Sequence, residues 1–142
     1  MTMPTKHITD ISDKKTKKKS ILEISDITLT PGSPKPGNVI RCDIDAVLRE
    51  PVDLRKVQVR QVRKVGDLKL GESTKPLTER LAEAGAELSG DIDALAGPWR
   101  QSWTVKVPWE AHSGELWIWW YATTDDGREF ASLEGRFDFR RD

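Results

Sequence analysis

From Ile21 to Phe139 most of the sequence alternates apolar and polar residues, and turn residues cut the alternation at short intervals. That period of two most restricts the available folds, because it suits half-buried strands and cannot give a helix a continuous apolar stripe. Ile21–Leu29 forms a first run. Pro31, Pro34 and Pro36 then place three residues without a backbone N–H donor in one short stretch, so a turn follows. Val39–Leu48 alternates again, and Glu50-Pro51 ends it. Val52–Val65 carries another strand, and Gly66-Asp67 interrupts it before Leu68–Leu70. Trp99–Val107 is closed by Pro108. Glu115–Thr123, the turn Asp125-Asp126-Gly127 and Phe130–Phe139 read as a terminal hairpin. About seven strands at this spacing predict an all-β, immunoglobulin-like antiparallel β-sandwich. The exception is Pro76–Leu88. There Leu77, Leu81, Ala84 and Leu88 suit helical turns, while Gly85 and Gly90 leave an irregular flap equally open.

The chain has 142 residues, enough for one domain with its own core. Residues 1–20 hold six lysines against two aspartates, so the remainder carries the opposite excess and the net charge is zero. The run Lys14–Lys19 has no apolar periodicity. We expect a disordered tail over 1–20 and a sandwich domain over 21–142. Zero net charge gives the whole chain no pull toward nucleic acid, and no apolar run is long enough to cross a bilayer. Cys42 is the single cysteine, so no intramolecular disulfide can form. With no apolar leader in the first residues, this predicts a cytoplasmic protein.

Catalytic and metal signatures are sparse. No glycine-rich phosphate loop and no Cys/His cluster is present, so no cofactor or metal is expected. His7 falls in the expected tail and His112 in a turn, and no Ser-His-Asp set can be assigned.

Strand parity selects candidate ligand-binding residues. Ile40, Cys42, Ile44 and Ala46 share one face, as do Trp99, Gln101, Trp103, Val105 and Val107. On the last hairpin Leu116, Ile118, Trp120 and Ala122 face Leu133, Gly135, Phe137 and Phe139. Indoles beside small residues suggest a pocket edged by aromatic rings. In Val57–Val65 the same parity places Gln61 and Arg63 inside, where an arginine needs an anionic partner or several acceptors. That partner is a ligand carboxylate, phosphate or enolate, or an acid such as Asp45 or Glu129. Alternatively, a bulge near Gln61 turns Val62 inward and Arg63 into water. Trp117, Trp119 and Tyr121 have the opposite parity. Three outward aromatics predict a homodimer face, unless the Pro76–Leu88 flap covers them.

The stretches LEISDITLTPGSPKPGNVI, KVGDLKLGESTKPLTERL and SGELWIWWYATTDDGREFASLEGRFDF occur in an order and spacing that resembles the ML lipid-recognition domain family. Within that family the likeness is in particular to the fungal phosphatidylglycerol/phosphatidylinositol transfer proteins. The resemblance covers about Ile21 to Phe139 and implies two sheets splayed around an apolar ligand. Family members are secreted and carry paired cysteines, whereas Ser20 or its neighbours, Thr78, about Ser89 and Ser132 stand at the corresponding positions here. The function this implies is intracellular binding or transfer of a lipid or lipid-like metabolite in a cavity between the sheets. The candidate lining is Ile40, Cys42, Ile44, Gln61, Arg63, Trp99, Trp103, Trp120, Ala122, Leu133 and Phe137. The alternative is a cofactor-free cyclase or isomerase acting in the same cavity by positioning. A module that uses only the outer aromatic face is a third reading.

Overall fold

The alternating segments fold as strands with their apolar parity inside. The structure is a computed structural model and describes residues 8–12, 20–30, 35–86, 88, 93–109 and 114–139. The strands are β1 (Ile8–Asp10), β2 (Leu22–Thr30), β3 (Val39–Leu48), β4 (Val52–Asp53), β5 (Gln58–Val65), β6 (Leu68–Pro76), β7 (Asp93–Ala94), β8 (Gly97–Lys106), β9 (Glu115–Thr123) and β10 (Glu129–Asp138). One helix, α1 (Leu77–Glu83), and a short 3₁₀ turn at Leu54–Lys56 complete the described elements. The seven strands of eight residues or more correspond to the seven read from the sequence.

All pairings are antiparallel. One sheet has the order β1-β10-β9-β5-β6 and the other β2-β3-β8, with β4 and β7 forming a small third pair. The two main sheets pack as a sandwich around Ile40, Cys42, Leu116 and Phe137, all fully buried. At one edge β2 lies against β1 and β10. At the other, α1 bridges from β6 toward β8.

The Pro76–Leu88 segment therefore contains a two-turn helix. A Schellman motif stops it: Gly85 N–H donates to Ala82 O at 3.1 Å and Ala86 N–H to Leu81 O at 2.8 Å, with Gly85 at φ +69°. The glycine that argues against a long helix in the sequence is the residue that ends this one. Two further ties fix its position. Arg80 donates to the Ser73 carbonyl and hydroxyl on β6, and Thr104 N–H of β8 donates to Ala84 O at 3.3 Å.

Within the stretch expected to be a tail, Ile8–Asp10 is a strand on β10, with Ile8 opposite Gly135. Ile8 is buried in the core, and Ser132 N–H donates to Ser12 Oγ at 2.8 Å. The three-residue run was too short to stand out beside the lysines. The lysine run itself and both histidines lie outside the described residues. We expect Ile8→Ala to destabilise the domain by about 2 kcal/mol or more in chemical denaturation. An effect near zero would mean that β1 is not part of the fold.

Candidate functional site

Two aromatic pairs bridge the sandwich. Trp99 of β8 meets Phe130 of β10 edge to face, with centroids 6.0 Å apart. Trp103 of β8 meets Trp120 of β9 in the same manner, also at 6.0 Å. Trp103 is four residue steps along the strand from Trp99, so the two bridges lie about 13 Å apart. Bulky rings set across the interface hold the sheets apart there, and the narrower side chains around them leave a gap. A cavity of about 300 Å³ fills it, equivalent to about ten water volumes at roughly 30 Å³ each.

Of the eleven candidate lining residues, eight line this cavity: Ile44, Gln61, Arg63, Trp99, Trp103, Trp120, Ala122 and Leu133. Three others do not. Ile40, Cys42 and Phe137 have the inward parity but are fully buried in the core and are not among the residues lining this cavity. Lining residues that sequence reasoning did not select include Phe130 and Ala131 on the sheets, Lys106 beside the opening, and Leu77, Arg80 and Leu81 on α1. Leu77 and Leu81 are an i, i+4 pair, which was the available signal that one helix face turns inward. Nothing in the pattern distinguished Arg80.

Polar groups are placed selectively on these walls. Gln61 Oε1 accepts a hydrogen bond from Trp120 Nε1 at 3.1 Å, which fixes the indole against the β5 wall. Gln101 is buried opposite, and its amide donates to Ser102 O at 2.8 Å. Arg63 lies opposite Ile118, in the inward parity. No register shift occurs at Gln61; Val62 pairs with Trp119 on the outer face, so the bulge reading is not realised. The irregularity falls instead on the β6 side, between Arg63 and Lys64. Arg63 points inward yet is exposed because the cavity opens beside it. Its β6 neighbour is Gly71, where a Cβ would stand 3.3 Å from Arg63 Nη2.

The opening is electropositive. Arg63, Arg80 and Lys106 line it, with Glu83 as the one carboxylate among the described lining residues. Glu83 is already ion-paired to Lys75, and more distantly to Arg80 at 3.9 Å. Among the described residues neither Arg63 nor Lys106 has a carboxylate partner. Asp45 pairs with Arg100 at 2.8 Å and Glu129 accepts from Ser132 Oγ at 2.7 Å, so neither acid considered for Arg63 serves it. Burial holds the Arg80 guanidinium below the usual arginine value, and the nearby charge of Arg63 pushes the same way against Glu83 and Glu79.

Cys42 is not a nucleophile in this setting. Burial, and secondarily the charge of Asp43, push its thiol up to about 12. Modification by an aromatic disulfide reagent should be slower by orders of magnitude in the native protein than in denaturant at pH 8. Equal rates in the two states would show that Cys42 is accessible. Among the described residues no three metal-ligating side chains converge. No described helix is long and apolar enough to cross a membrane.

No protein-family model matches the chain, and no curated protein matches it in sequence. The ML resemblance therefore stands on the quoted residues. Solved structures similar to this one include a Niemann-Pick type C2 protein from Japanese carpenter ant. It is 14% identical, with a TM-score of 0.49 over 83% of this chain and 92% of that one. Another is the C-terminal domain of Wzt, 15% identical, with a TM-score of 0.47 over 87% of this chain and 83% of that one.

Proposed function

We propose that this chain binds a lipid-like amphiphile, with its apolar body between the sheets and an anionic head at the opening, and carries or presents it. The carrying observation is the cavity propped between Trp99–Phe130 and Trp103–Trp120, with the inward-facing Arg63 beside its opening. An apolar pocket with a few convergent polar groups is the usual form of a small-molecule site. A cation there without a carboxylate partner among the described residues favours a carboxylate or phosphate at that end. The single cysteine fits a reducing compartment, and we place the protein in the cytoplasm on that ground. Carriage accounts for the lining better than catalysis, because the one carboxylate among the described lining residues is already held in ion pairs.

The test is native mass spectrometry of protein purified without organic solvent, followed by extraction and identification of what is released. One anionic amphiphile per chain is the expected result. A bare chain that also fails to take up added medium-chain carboxylates would overturn the proposal.

A further inference from the structure

The outer face of the five-stranded sheet carries a row of aromatic side chains along β9. Trp117, Trp119 and Tyr121 are half-buried there, and α1 lies on the cavity side, so the flap does not cover them. Trp117 and Trp119 stack on each other, 5.5 Å apart and within 7° of parallel. Arg136 sits over the ring of Trp117 at 5.2 Å and Arg60 over that of Tyr121 at 5.7 Å. The indole N–H groups donate to Glu115 and Glu134. At least one face of each ring, and both indole N–H donors, are thus engaged inside the molecule. Large rings whose N–H donors are already satisfied suit packing against another protein surface.

The charges beside this row are segregated. Register places Arg60, Lys64 and Lys69 on the β5–β6 side of the outer face, against Glu72. It places Glu129, Glu134 and Asp138 on the β10 side, against Arg136, with Glu115 at the end of β9 itself. Among the described residues one flank is thus basic by two charges and the other acidic by two.

We infer that this face pairs two copies of the chain about a twofold axis running along β9. Such an axis sets the aromatic rows together at the centre and brings Lys64 of each copy onto the Glu134-Arg136-Asp138 row of the other, beside its two acids, with Arg60 one step from Glu134. An axis across the strands would lay like on like. Isologous pairing requires this kind of self-complementarity, and a second copy supplies it without any other partner. The cavity lies on the opposite side of the sheet, so both cavities stay open in the pair.

Sedimentation velocity of the full chain tests the inference. The wild type should sediment as a dimer that weakens as salt is raised. Lys64→Glu with Lys69→Glu makes both flanks acidic, and Glu134→Lys with Asp138→Lys makes both basic. Each double variant should be monomeric alone, and an equimolar mixture should recover the dimer mass. Misfolded variants could not give that recovery. A monomeric wild type at its highest soluble concentration would overturn the inference. So would reversed variants that each still dimerise, a mixture that stays monomeric, or a monomer that binds a soluble glycan through these rings.

Discussion

Replacing Ala122 by phenylalanine is expected to lower the affinity for an apolar ligand by a hundredfold or more while leaving the domain folded. Ala122 lies on β9 between Val59 and Ala131 and contributes a methyl group to the cavity wall. A phenyl ring built from it would enter space the ligand needs. Overpacking an already filled core costs about 1–3 kcal/mol. Filling a void instead stabilises by about 0.5–2 kcal/mol. Stability and binding should therefore move apart: the thermal midpoint holds or rises by a few degrees while calorimetric titration loses its heat. Binding that survives this substitution would place the ligand elsewhere.

The second large effect concerns the head of the ligand. Arg63→Glu should weaken binding of a medium-chain carboxylate about tenfold to a hundredfold, since a hydrogen bond to a charged group contributes about 1.5–3 kcal/mol. The alcohol of the same chain length should lose far less. Titrating both ligands against both proteins gives the coupling between the arginine and the anion directly. Because the cation is exposed at the opening, the carboxylate's advantage should also shrink as salt is raised. Gly71→Ala is a milder companion. Its new Cβ would stand 3.3 Å from the guanidinium and displace it, so a loss of a few fold is expected. Equal losses for acid and alcohol would show that Arg63 acts on the shape of the opening and not on charge.

Much of this architecture was legible from alternation. The β9–β10 hairpin follows from two period-two runs around Asp125-Asp126-Gly127, and Gly127 takes φ +83° as such a turn requires. Parity alone put Gln61 and Arg63 inside. What parity cannot give is depth along a strand. Ile40, Cys42 and Phe137 share a face with cavity residues, yet they lie where the sheets close on each other. Nor does alternation reveal a wall that is not a strand. Arg80 and Leu81 reach the cavity because Gly85 stops the helix and the ties to Ser73 and Thr104 hold it across the sandwich edge. The strand at Ile8–Asp10 was hidden for a related reason. Its pairing depends on a partner more than a hundred residues away, which no local pattern records.

The central claim is that a ligand sits between the two sheets. Isotope-filtered NMR with a ¹³C-labelled medium-chain carboxylate at saturation locates the ligand without relying on any substitution. The account predicts contacts from the labelled chain to Ile44, Trp103, Trp120 and Leu133. Contacts confined to Trp117 and Trp119 on the outer face, or none at saturation, would contradict it.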